Sequence, residues 1–151
     1  MSTPSPSGLC GVEHLLRVPG VDRATLSEWI AAYERLWRTP GTDQLGQLFS
    51  DHASYSTGPY AEPHRGLAAI ARLWEEEREG PDEGFEMSAE IVAVDGDTGV
   101  ARVDVAYGAP RAQEYKDLWL VTLGEDGRCI AFEEWPFWPP GTPGQTATGA
   151  G

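Results

Sequence analysis

A chain of 151 residues is long enough for one real core and too short for two. Its 40% hydrophobic content and six tryptophans exclude wholesale disorder. A formal net charge of −13 argues against nucleic acid as a partner, because phosphate contacts need clustered Lys and Arg, and against anionic membrane surfaces.

Residues 1–20, rich in Pro, Ser and Gly, read as a disordered lead. They lack the charged start and continuous apolar core of a signal peptide, and no segment approaches the ~18 apolar residues of a membrane span, so a cytoplasmic location is expected. Cys10 lies in this lead and Cys129 in a predicted strand; neither has a Cys-x-x-Cys partner, and reduced thiols are expected. The folded unit is expected over residues 21–138, with 139–151 a flexible tail.

The first helix is the clearest element. Leu26, Trp29, Ile30, Tyr33, Leu36 and Trp37 fall on one stripe of a 3.6-residue period. Thr25 with Glu28 predicts a capping box, and Pro40-Gly41 a stop. A short second helix is expected over residues 43–49, with Leu45, Leu48 and Phe49 inward. A strand over 52–57 ends at Gly58-Pro59, and a loop over 60–65 leads into a third helix, 67–79, with Ile70, Leu73 and Trp74 as its apolar ridge. Glu75, Glu76 and Glu77 read as its solvated side, and Gly80-Pro81 as its end.

Four strands follow, over 85–94, 100–107, 114–123 and 128–135. Asp95-Gly96-Asp97 marks the first hairpin, Gly108-Ala109-Pro110 opens the second turn, and Glu125-Asp126-Gly127 makes the third. The order α-α-β-α-β-β-β-β defines an α+β protein: three N-terminal helices packed on one face of a mainly antiparallel sheet.

Strand alternation sorts the candidate chemistry. Val100, Arg102, Asp104 and Ala106 share one face of their strand; Ala101, Val103, Val105 and Tyr107 share the other. Hydrophobicity alone buries the second set and leaves Arg102 and Asp104 in water, and one residue of register decides between the two. Tyr115, Asp117, Trp119, Val121 and Leu123 also share a face, and an acid embedded in an apolar face is either paired or functional. Phe132 and Glu134 lie on one side of the last strand, Glu133 and Trp135 on the other. With Asp117 and Glu134 both inward, a pocket would hold two carboxylates near Tyr33 or Tyr55. His14, His52 and His64 are scattered, without metal-ligand spacing, and read as surface or rim residues. No glycine-rich nucleotide loop is present, so neither metal nor cofactor is expected.

Three clusters carry a family resemblance. They are Leu48-Phe49 leading into Asp51-His52-Ala53-Ser54-Tyr55, then Glu62-Pro63-His64-Arg65-Gly66 opening a helix with Ala69-Ile70, and finally Asp126-Gly127-Arg128 before Phe132-Glu133-Glu134-Trp135. In this order and spacing, residues 25–138 resemble the SnoaL-like proteins of the nuclear transport factor 2-like superfamily. The resemblance implies a cystatin-like curved sheet closed by three helices into a cone, with a pocket at the wide end. Carried over, the ligand-binding wall comprises Trp37, Tyr55, Thr57, Tyr60, Trp74, Trp119 and Phe132, which suits a small apolar organic molecule.

The superfamily includes isomerases, hydrolases, polyketide cyclases, dehydratases and non-catalytic proteins, so the fold does not fix the activity. Against ketosteroid isomerases, Tyr33 falls at the oxyanion tyrosine, and Trp119 or Asp117 at the second donor. Thr57, however, replaces the carboxylate base, and a threonine hydroxyl cannot abstract that proton. Against limonene epoxide hydrolases, Arg102-Val103-Asp104 matches the Arg-x-Asp, Glu134 the second acid and Tyr55 the tyrosine. Thr57 stands in place of the asparagine. An arginine between two carboxylates splits their proton affinities, making Glu134 the base and Asp104 the acid. The expectation is cofactor-free acid–base chemistry of a hydrolase, isomerase or cyclase, resting on Asp117, Glu134 and Tyr33 or, in the epoxide hydrolase version, on Arg102 and Asp104. A non-catalytic ligand-binding or assembly domain is the alternative. A homodimer through the outer sheet face, built on Val103, Val105 and Tyr107, is expected as well.

Overall fold

Arg23–Trp37 forms helix α1, and its stripe of Leu26, Trp29, Ile30, Tyr33 and Leu36 is buried. The cap is Asp22 rather than the expected Thr25–Glu28 box: the Asp22 side chain accepts the Thr25 N–H at 2.8 Å, which starts the helix at Arg23. The computed structural model describes residues 22–78, 84–108 and 113–141. The expected lead, Cys10, His14, Gly80-Pro81, Ala109-Pro110 and the tail beyond Gly141 lie outside the described residues.

The expected second helix is a single 3-10 turn, Leu45–Gln47. Leu45 and Leu48 are buried as the pattern requires, but Phe49 already belongs to a strand. The carbonyl of Leu48 accepts the backbone N–H of Cys129 at 2.8 Å and the indole N–H of Trp29 at 2.9 Å. Those tertiary partners, with Gly46 inside so short a segment, outweigh another helical turn. Two α-helices therefore stand among the described residues, not three.

Strand β1 is Phe49–Ser56 and β2 is His64–Arg65, a two-residue antiparallel pairing in what reads as a loop. Gly66 then turns the chain at φ 89°, ψ 159°, a region open only to glycine, and starts helix α2, Leu67–Glu77. Strands β3 (Phe85–Asp95), β4 (Thr98–Tyr107), β5 (Gln113–Leu123) and β6 (Cys129–Phe137) complete the fold. Gly96, at φ 64°, makes the tight β3–β4 turn.

The six strands form one sheet in the order β2-β1-β6-β5-β4-β3, antiparallel except where β1 runs parallel to β6. Register shifts between Ile91 and Ala93, and between Thr122 and Leu123, bend it around the helices. The α+β class with a curved sheet is as expected. Trp29 anchors the core, its ring 5.7 Å from Phe49, 5.8 Å from Phe132 and 6.4 Å from Trp119. Cys129 is buried there, and loss of water pushes its thiol up to about 12, which keeps it neutral and unreactive. No helix among the described residues is long and apolar enough to cross a membrane.

Ala101, Val103 and Val105 face inward and are buried, so the simple alternation rule holds on β4. Arg102 and Asp104 lie on the outer face, 3.9 Å from Glu90 and 3.2 Å from Lys116 respectively. The expected dimer face loses the residues on which it rested, because Val103, Val105 and Tyr107 belong to the core or the cavity wall.

Candidate functional site

The concave side of the sheet and the two helices enclose a cavity of about 410 Å³. Each wall follows from the periodicity of its element. α1 contributes Tyr33 and Trp37, one turn apart, with stacked rings at 6.1 Å. α2 contributes Leu73, Trp74 and Glu77 by the same spacing. Alternate residues of β5, Tyr115, Asp117 and Trp119, point in beside Glu134 and Pro136 of β6. Tyr55, Thr57, His64, Phe85, Met87, Val105, Tyr107, Gln113 and Trp138 complete the lining.

Arg78 locks the two helices together at the back of this wall. Its guanidinium donates to the carbonyls of Thr39 at 2.6 Å, Gly41 at 2.8 Å and Leu36 at 3.4 Å, which follow or end α1. It thereby ties α2 to the turn that follows α1, and it sits 5.8 Å from the rings of Trp37 and Trp74.

A polar chain crosses this aromatic interior. Tyr55 Oη donates to Glu134 Oε1 at 3.1 Å, and lies 2.6 Å from Tyr33 Oη. Because Tyr55 gives its proton to Glu134, Tyr33 is the donor to Tyr55. At the other end the indole N–H of Trp119 donates to Asp117 Oδ2 at 3.1 Å. Asp117 is only 3% exposed, and its Oδ1 receives no N–H or hydroxyl from the protein. The carboxyl of Glu134 is its neighbour, so a proton carried by Glu134 is the one that can reach Asp117.

Burial raises Glu134 well above the usual carboxylate range, the nearby charge of Asp117 raises it further, and the Glu77 carboxylate pushes the same way. Burial also raises Asp117, but the hydrogen bonds from Glu134 and Trp119 pull it back. Both acids are raised, and Glu134, raised the further, is the favoured holder of a proton between them. Burial keeps Tyr33 and Tyr55 as neutral phenols, assisted by the charge near Glu134. The arrangement sets two carboxyls of raised proton affinity beside two hydrogen-bonded phenols in an aromatic cavity. Chemically, it can take one proton from a bound molecule and give one back.

Of the residues singled out by sequence, Asp117, Glu134, Tyr33, Tyr55, Thr57, Trp37, Trp74 and Trp119 meet at this cavity. Four do not. Arg102 and Asp104 are on the far side of the sheet, so the arginine-between-acids arrangement does not form with Glu134. Tyr60 is 95% exposed, and Phe132 is buried behind the wall, its ring 4.6 Å from Tyr55 and 5.0 Å from Trp119. The alternation of β4 groups Tyr107 with the apolar face, and it lines the cavity; Glu77 is exposed, as its helical pattern predicts, and also reaches the lining. For Tyr107 the alternation with Val103 and Val105 carried the signal. For Glu77 the signal is its position one turn after Leu73 and Trp74. Among the described residues no group of His, Cys, Asp and Glu has the geometry to hold a metal ion.

The bent six-stranded sheet wrapped around two helices is a nuclear transport factor 2-like fold. Residues 29–132 match the model of the SnoaL-like domain, and the chain belongs to that family. No curated protein matches it. Solved structures share the fold at low sequence identity. The epoxide hydrolase/cyclase-like enzyme SalBIII, of pyran ring formation in the polyether salinomycin, has a TM-score of 0.61 at 17% identity, over 79% of this chain and 94% of that one. An LEH-like epoxide hydrolase of M. tuberculosis has a TM-score of 0.59 at 16% identity, over 76% and 84%. An NTF2-like protein of unknown function from Mesorhizobium loti has 0.58 at 18% identity, over 78% and 95%.

Proposed function

We propose that this protein is an acid–base catalyst acting on a small organic molecule through Asp117 and Glu134. The observation that carries the reading is the pair itself: two carboxyls in the wall of an aromatic cavity, one held by the Trp119 indole N–H and the other by the Tyr55 hydroxyl. Asp117, the ionised partner, removes a proton from the substrate. Glu134 holds the proton to be delivered, and the Tyr33–Tyr55 chain positions that acid through its hydrogen bond. Isomerisation, ring closure by an internal hydroxyl and addition of water all fit this exchange of one proton out and one in. None requires a redox partner. Similarity in fold to an epoxide hydrolase and to an epoxide hydrolase/cyclase-like enzyme favours the last two, with this chain's own acids in place of an Arg–Asp pair.

The test compares wild type with Asp117→Asn and Glu134→Gln on a panel of epoxides, hydroxy-epoxides and enones, with folding checked by circular dichroism. Turnover should fall by roughly 10²–10⁴-fold in each variant, while ligand affinity stays within a few-fold. Turnover surviving both substitutions would refute the assignment. Tight ligand binding without turnover of any panel member would favour the non-catalytic alternative.

A further inference from the structure

We infer that the molecule occupying this cavity carries a positive charge on nitrogen, as a protonated or quaternary amine with an apolar body. The inference rests on the reading that the cavity is the ligand site, and it concerns the charge of that ligand. Nine of the lining side chains are aromatic, and three, Glu77, Asp117 and Glu134, are carboxyls. Among the described lining residues there is no lysine or arginine, and His64 is the one basic group. The arginines nearest these rings stay outside: Arg38 lies 3.9 Å over Phe85, and Arg78 behind Trp37 and Trp74 is tied to backbone carbonyls.

Three ligand charges can be weighed against this interior. An anion would meet the charge on Asp117 with no opposing cation, at a cost that grows as water is excluded. A neutral apolar ligand would leave the carboxyls of the wall, Asp117 among them, without a compensating charge. A cation removes both penalties. Its charge compensates the carboxyls of the lining, and the ring faces attract it through their quadrupoles. The nine aromatic side chains of the lining supply such faces. The net charge of −13 draws cations to the protein at long range.

Calorimetry on the full chain with a matched pair of probes tests this directly. The pair is (4-hydroxyphenyl)trimethylammonium and its uncharged carbon isostere, 4-tert-butylphenol. The cation should bind about tenfold more tightly despite its greater cost of leaving water, and added salt should weaken it alone. The preference should drop below about threefold in Asp117→Asn. If that variant does not fold, Glu77→Gln at the rim should reduce it instead. Equal or tighter binding of 4-tert-butylphenol by wild type overturns the inference, as does a preference unchanged in both variants. Loss of turnover of uncharged substrates in Asp117→Asn, without any preference for the cation, overturns the charge assignment and leaves the acid–base reading standing. Cation preference with turnover insensitive to both acids does the reverse.

Discussion

Substituting Tyr55 by Phe removes one hydroxyl and disturbs two partners, and the order of donors makes its cost unequal to that of Tyr33→Phe. Tyr33 donates to Tyr55, which donates to Glu134. In Tyr55→Phe the phenol of Tyr33 loses the one hydrogen-bond partner the structure gives it, and Glu134 loses a donor. The orphaned buried hydroxyl costs about 1–3 kcal/mol and the lost bond to the acid adds roughly 1 kcal/mol, a total near 2–4 kcal/mol. In Tyr33→Phe, Tyr55 keeps its bond to Glu134 and loses one incoming donor, so about 0.5–1.5 kcal/mol is expected. The double variant should cost less than the sum, because removing Tyr33's hydroxyl relieves the orphan that Tyr55→Phe creates. Urea unfolding followed by tryptophan fluorescence measures all three. A Tyr33→Phe cost equal to or above that of Tyr55→Phe, or strict additivity, would refute the proposed direction of the chain.

Glu134→Gln should change how stability depends on pH. The folded-state pKa of Glu134 lies above its unfolded value, so its contribution is fully present below the unfolded pKa and is lost as pH rises through the folded one. An amide keeps the bond from Tyr55 and donates to Asp117 at every pH. The variant should therefore gain on wild type from about pH 4.5 upward, by at most about 1.4 kcal/mol per pH unit. Parallel stability curves would contradict the raised pKa. Gly66→Ala should destabilise by about 1–3 kcal/mol, measured by urea midpoint, because the backbone at φ 89° and ψ 159° excludes a Cβ. Arg78→Met should cost about 1.5–3 kcal/mol and weaken ligand binding, as the Thr39 and Gly41 carbonyls lose a donor and the Trp37–Trp74 wall loosens; an unchanged melting temperature would show that the clamp is dispensable.

Periodic, strongly apolar segments were legible. The stripe of α1, the ridge of α2 and the alternation of β4 and β5 each placed their side chains as found, and the inward acid of β5 stood out against Tyr115, Trp119 and Val121. What misled was local geometry decided by distant partners. Leu45, Leu48 and Phe49 have helical spacing, but the Leu48 carbonyl is claimed by Trp29 and Cys129, which are far away in sequence. Arg102 and Asp104 matched an enzyme motif by spacing alone, and the apolar partners between them fixed the opposite face. The Tyr33–Tyr55–Glu134–Asp117 chain joins α1, β1, β6 and β5. No window of sequence contains it, and only the strand order brings it together.

The end of β1 has a dynamic consequence. Its last residue, Ser56, pairs with Glu133, so β6 from Glu134 onward has β5 as its single neighbour. Pro136, without an N–H, occupies that stretch opposite Asp117. Asp117 itself lies in a strand flanked on both sides, by β4 and β6. One member of the acid pair is therefore fixed in the interior of the sheet, and the other is carried at the root of a strand end that can open without breaking the core. Backbone amides of Trp135 and Phe137 should exchange with solvent ahead of those of Asp117 and Trp119. The spacing of the two acids, and hence how firmly they hold their common proton, is set by the breathing of four residues at the rim.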